Sequence, residues 1–148
     1  MTADDRARRA PVPPAPSGSR QARRRLLLVE DEAPLATVLA SVLRGTHEVT
    51  IATHGADALR LLDETTTTFD VVLSDVHMPW MNGIDLHRAL AARGSPLARR
   101  FVLMSGAPLS APHRAYLDQA GVSLLAKPFE MTELEQVLST TLAAAGPG

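Results

Sequence analysis

Four short apolar runs (residues 26–29, 69–74, 101–104 and 122–126) and one more polar run (47–52) punctuate this chain, and each is followed by a stretch whose apolar residues recur at helical spacing. Runs this short cannot be core helices. Their alternation with amphipathic stretches is the pattern of βα units repeated around a parallel sheet. The run at 69–74 is the most informative: nearly all apolar, it suits a strand covered on both faces, and it stops abruptly at a carboxylate, Asp75. Pro79, Asn82 and Gly83 then force a loop. In open α/β sheets ligand chemistry gathers outside the carboxyl ends of the strands, so an acid at that edge already has a functional reading.

The helical stretches can be placed from the same pattern. Pro34 suits the first turn of the helix after the first strand, with Leu35, Val38, Leu39, Val42 and Leu43 expected on its buried face and Gly45 ending it. A short helix over 56–62 would turn Ala58, Leu59 and Leu62 to the sheet, and one over 84–93 would bury Ile84, Leu86 and Leu90 before Gly94 closes it. Ser110 is placed to cap a helix over 111–119. Thr132 and Glu135, at capping-box spacing, would open the last helix, over 132–143, with Leu134, Val137, Leu138 and Leu142 as its apolar stripe. The polarity of the second strand suits a sheet edge.

A chain of 148 residues predicts one domain. It is expected over 25–144, between a disordered Pro- and Arg-rich tail at 1–24, which carries Pro11, Pro13, Pro14 and Pro16, and a short tail at 145–148. The absence of cysteine excludes disulfides, thiolate catalysis and Cys-ligated metals, and fits a reducing cytoplasm. No apolar run reaches the ~20 residues of a membrane span, so no membrane partner is expected. Charge is unevenly spread: residues 1–25 hold seven Arg against Asp4 and Asp5, a balance of +5, and the remainder is −6. With no interleaved aromatic and no amphipathic helix after it, Arg23-Arg24-Arg25 reads as a solvated linker and not as a direct nucleic-acid contact.

The strand ends carry the chemistry. The first run ends at Glu30 and Asp31, the third at Asp75, the fourth at Ser105 and the fifth at Lys127. If the first strand lies between the second and third, these side chains meet at one edge of the sheet. Three acids gathered there need a cation.

The set resembles the receiver domain of two-component response regulators over roughly residues 25–143. The carriers are Val29-Glu30-Asp31-Glu32, Ser74-Asp75-Val76-His77-Met78-Pro79-Trp80-Met81-Asn82-Gly83, Met104-Ser105-Gly106-Ala107 and Lys127-Pro128-Phe129, in this order and each at a strand end. The resemblance implies a doubly wound, flavodoxin-like (βα)5 fold with a five-stranded parallel sheet of order 2-1-3-4-5. It implies a Mg2+ ion held by Asp31, Asp75 and the backbone carbonyl of His77, with Glu30 acting through water. It also implies transfer of a phosphoryl group from a histidine kinase or histidine phosphotransfer protein to Asp75. Lys127 would supply a point charge to the phosphoryl group and Ser105 a hydroxyl that bonds it on arrival.

The family's pattern also marks departures. Many receivers carry a switch aromatic three residues before the lysine, and here that position is Leu124. The imidazole of His77 invites a zinc or general-base reading, but in the family only its backbone binds metal. His47, His54, His87 and His113 show no ligand spacing and are expected at the surface. Trp80 and Met81 can either pack on their own loop or present a patch to a partner, and both readings stay open. With only Gly146-Pro147-Gly148 after the last helix, the expected output is docking to an unidentified downstream protein, onward phosphorelay or a phosphoryl sink. A signalling domain is therefore expected rather than an enzyme. Two other readings are a phosphorylation-independent adaptor, which the intact Asp31, Asp75 and Lys127 argue against, and an aspartyl-nucleophile phosphatase. The phosphatase needs a second acid two residues after the nucleophile, where this chain has His77.

Overall fold

A computed structural model describes residues 23–64 and 68–145, so nearly all of the tail expected at 1–24 lies outside the described residues. The elements follow the alternation seen in the sequence: β1 (Arg24–Val29), α1 (Ala33–Leu43), β2 (His47–Ala52), α2 (Gly55–Glu64), β3 (Val71–Asp75), α3 (Gly83–Ala92), β4 (Phe101–Ser105), α4 (Ala111–Ala120), β5 (Ser123–Ala126) and α5 (Met131–Ala145). A single 3-10 turn, Pro96–Arg99, which the sequence pattern did not reveal, leads into β4. The strands form one parallel sheet in the order β2-β1-β3-β4-β5, which is the expected 2-1-3-4-5.

Side chains of a strand alternate between faces, and the core divides accordingly. Leu27, Val29, Val72, Phe101 and Leu103 meet Ala58 of α2, Ile84, Leu86 and Leu90 of α3 and Leu117 of α4. Leu26, Leu28, Val71, Leu73, Val102 and Met104 meet Ala36, Leu39, Ala40 and Leu43 of α1 and Leu134 and Leu138 of α5. Each fully buried leucine contributes about 2 kcal/mol relative to exposure. Every residue of β3 is buried, as its apolar run anticipated.

Two local expectations are corrected. On α1 the buried face is Ala36, Leu39, Ala40 and Leu43, while Val38 (58% exposed) and Val42 (42%) face outward. This helix is apolar nearly all round, so periodicity did not single out a face; its small alanines allow close approach to the sheet. On α5 the cap lies two residues earlier than the Thr132–Glu135 spacing suggested: the Glu130 amide donates to Glu133 Oε1 at 3.2 Å. By contrast Ser110 caps α4 as anticipated, accepting from the His113 amide at 3.3 Å.

The register aligns the strand ends. Val29 pairs with both Ala52 and Ser74, Asp75 with Met104, and Ser105 with Ala126. The ladder then runs on for one more bond in three places: Glu30 N to Ala52 O (3.0 Å), Val76 N to Met104 O (2.8 Å) and Lys127 N to Ser105 O (2.8 Å). Residues 30, 75, 105 and 127 thus leave the sheet along one edge.

Candidate functional site: an acidic cluster at the carboxyl edge of the sheet

Asp75 ends β3 and is 5% exposed. Its backbone is held from below by α3, whose Asn82 cap accepts from Asp85 N (2.8 Å) while Asp85 accepts from Asn82 N (3.2 Å). This capping box seats Gly83 directly against the strand end. A Cβ at Gly83 would lie 2.4 Å from the Asp75 carbonyl oxygen and 2.6 Å from Leu103 Cδ2, so no side chain fits there.

Glu30, 1% exposed, and Asp31, exposed, come from the loop after β1. Carboxylate oxygens of Glu30, Asp31 and Asp75 all lie within 4.8 Å of one another. Lys127, which precedes Pro128 through a cis bond, brings Nζ to 2.9 Å from Asp75 Oδ1 and 3.3 Å from Glu30 Oε1. Four of the five side chains expected at this edge, Glu30, Asp31, Asp75 and Lys127, therefore converge.

Burial is the largest influence on Glu30 and pushes its carboxyl up. The Glu32 amide, 3.2 Å from Oε2, opposes this; the Asp75 charge adds to it and Lys127 relieves it. For Lys127, burial acts to lower the ammonium's pKa, but the hydrogen bond and charge of Asp75, with those of Glu30, outweigh it and hold the group above its ordinary value. One ammonium thus pairs with two of the three clustered acids. The remaining charge, the all-oxygen donor set and the exposed position of Asp31 fit a hard divalent cation such as Mg2+, which binds through one or two carboxylates and keeps several waters.

Ser105, 5% exposed, points its hydroxyl proton away from this cluster. Oγ donates to its own loop at Ala107 O (2.6 Å) and accepts from Ala107 N (3.3 Å). His77 Nε2 lies 3.2 Å from the same Oγ, and since the hydroxyl has its one proton on Ala107 O, the imidazole is the donor in this contact. Leu124 is half-buried and packs on the core layer that also receives Tyr116, Leu109 and Val122.

His87 and His47, expected at the surface, are buried. His87 Nε2 donates to Ala98 O (2.8 Å), leaving Nδ1 to accept from the Tyr116 hydroxyl at 2.7 Å. This contact ties α4, which buries only Leu117, to α3. The missed signal was spacing: His87 sits three residues from both Ile84 and Leu90, on the buried face of α3. His47 likewise shares strand parity with Val49 and Ile51, which pack on the second core layer. Burial lowers the pKa of both rings.

The family model described as the response regulator receiver domain matches residues 26–139. Over 114 residues the chain is 32% identical to the two-component response regulator ARR14 of Arabidopsis thaliana, covering 76% of this chain and 29% of that protein. It is 34% identical to the DNA-binding response regulator MtrA of Mycobacterium tuberculosis, over 76% of this chain and 47% of MtrA. The chain thus spans less than half the length of these curated relatives. Among solved structures, the receiver domain of the sensor histidine kinase PA1611 from Pseudomonas aeruginosa, determined with a magnesium ion coordinated in its active-site cleft, superposes with a TM-score of 0.66 at 30% identity. The match covers 82% of this chain and 99% of that one. On the family match, the fold and the relatives together, this chain belongs to the response regulator receiver domains of two-component systems.

Proposed function

We propose that Asp75 accepts a phosphoryl group from a histidine kinase or histidine phosphotransfer protein in a Mg2+-dependent reaction, and that the product signals by docking or by onward relay in the cytoplasm. The observation that carries this reading is the single ammonium of Lys127 set between Asp75 and Glu30, with the three carboxylates gathered within 4.8 Å. Glu30, Asp31 and Asp75, with the His77 carbonyl, would hold the cation. Bound there, it would screen the phosphoryl oxygens from the acids.

An Asp75 carboxylate oxygen attacks phosphorus, the P–N bond to the donor imidazole breaks, and the leaving ring nitrogen keeps the electron pair as the acyl phosphate forms. Lys127 Nζ, already 2.9 Å from the attacking carboxylate, compensates charge on the transferred group. Ser105 then exchanges Ala107 O for a phosphoryl oxygen as its hydrogen-bond acceptor, which shifts the loop carrying Gly106 and Ala107. A charge-assisted bond is roughly twice as strong as the neutral one it replaces, so the exchange is downhill. The chain is a phospho-accepting domain in this scheme, with no substrate turned over beyond its own modification.

The test is labelling with phosphoramidate in Mg2+, followed by intact mass. One base-labile phosphoryl group is expected on the parent chain, none on Asp75→Asn, and none after chelation of Mg2+. Labelling that persists in Asp75→Asn refutes the proposal.

A further inference from the structure

Trp80 is 92% exposed, and it is the chain's single tryptophan. It is also the only non-glycine residue among those described with a positive φ, +67°, a region that side chains with a Cβ enter at a cost. A large apolar ring in water on a backbone that favours glycine is doubly unfavourable for folding. The sequence left open whether Trp80 and Met81 pack inward or face outward, and the structure separates them. Met81 lies over the bare backbone of Gly55, where an added Cβ would be 2.8 Å from its Cγ. Trp80 stands in water but for an edge-to-face approach to the His54 ring among the described ring pairs, with centroids 6.3 Å apart.

The ring's place is tied to the acidic cluster. The loop is pinched by Gly83 N to Val76 O (2.9 Å) and Met81 N to Pro79 O (2.8 Å), so Trp80 lies within about 11 Å of residue 83, the reach of three residues. His54 follows the end of β2, whose Ala52 O accepts from Glu30 N. Trp80 therefore stands on the Glu30 side of the carboxyl edge. Asp75 itself has a side chain only 7% exposed. A small phosphodonor can reach it unaided, but a protein that presents a phosphoryl group on a side chain must lie flat against the surrounding rim.

We infer that Trp80 is a docking anchor for the phosphohistidine-bearing protein donor, received in an apolar depression beside the donor histidine. The inference rests on Asp75 being the acceptor and names the contact that selects the macromolecular donor over small ones. Aromatic anchors of this kind, one rigid ring covered on binding, carry a large share of interface affinity.

The test uses histidine kinases of the encoding organism, autophosphorylated with labelled ATP, the fastest donor to the parent chain serving as the probe. Trp80→Gly removes the ring and suits the backbone, so its melting temperature should equal or exceed the parent's and its phosphoramidate labelling rate should stay within about twofold. Its kcat/KM with the phosphokinase should fall about tenfold or more, chiefly through KM, with Trp80→Phe recovering most of the loss. Emission from Trp80 should shift to the blue when the kinase's histidine-bearing domain is added. Unchanged transfer to Trp80→Gly overturns the inference, as does an equal loss with phosphoramidate. So does the absence of transfer from every kinase while phosphoramidate still labels Asp75. Absence of phosphoramidate labelling in the parent would instead remove the acceptor reading beneath it.

Discussion

Gly83→Ala should be among the most damaging single-methyl additions to this domain. The added Cβ would sit 2.4 Å from the Asp75 carbonyl oxygen and 2.6 Å from Leu103 Cδ2. An unstrained carbon–oxygen contact needs roughly 3.2 Å, so α3 or the end of β3 must yield by about 0.8 Å, and the opposing atom is backbone that cannot rotate away. Overpacking of this kind costs about 1–3 kcal/mol, and the rigid partner places this case at the upper end. The gain in helix propensity at the first position of α3 returns less than about 1 kcal/mol. A net loss of about 2 kcal/mol remains, which lowers the melting temperature by roughly 8 °C in a domain of this size. Gly106→Ala is the internal control, since its Cβ would meet Lys127 Cβ at an ordinary 3.7 Å, and its stability should stay within about 0.5 kcal/mol of the parent. Gly94→Ala and Gly121→Ala meet open space at φ of +68° and +70°, and should lose about 1 kcal/mol from the backbone alone. Urea unfolding with unchanged slope reads all four. Gly83→Ala as stable as Gly106→Ala would refute the packing argument.

Both buried histidines have pKa values lowered from the ordinary 6.5, so the unfolded chain takes up protons first: their contribution is fully present above about pH 6.5 and is lost as pH falls from there through the lowered folded-state values. Because Glu30 is shifted upward and works in the opposite sense nearer its own range, the histidine share is read by difference, His87→Phe showing a shallower decline in urea stability between pH 7 and 5 than the parent. Arg23 donates to the carbonyls of Arg44 and His47, the latter at 2.6 Å, so Arg23→Ala should lower stability by about 1 kcal/mol, whereas deletion of residues 1–22 should leave the melting temperature within a few degrees. With Leu124 in place of an aromatic ring, beryllofluoride should shift amide signals most around Asp75, Ser105 and Ala107 and less at Leu124 and α4. Changes at α4 as large as those at Asp75 would show that the leucine relays the signal fully.

The acidic edge was legible because of a property of parallel sheets: each apolar run ends where its strand ends, and in-register strands bring those ends together. Glu30, Asp75, Ser105 and Lys127 each terminate a run, and the register of Val29 with Ser74 and of Ser105 with Ala126 did the rest. What stayed hidden depended on distant partners or on ambiguous periods. The burial of His87 needs Ala98 and Tyr116, 11 and 29 residues away. The face of α1 was obscured by apolar residues all round it. Met81 turns inward from its loop because Gly55, at the start of α2, leaves room for it. Four residues of 3-10 turn are too few to show a period.

The most direct measurement is the position of the phosphoryl group. After phosphoramidate treatment in Mg2+, borohydride reduction converts an aspartyl phosphate to homoserine, and peptide mass spectrometry locates it. Conversion at Asp75, absent from the untreated chain and undiminished in Trp80→Gly, is the predicted result. Homoserine in place of Asp31, the one-carbon-longer alcohol that a glutamyl phosphate leaves in place of Glu30, or phosphate found on His77 or Ser105, would contradict the account.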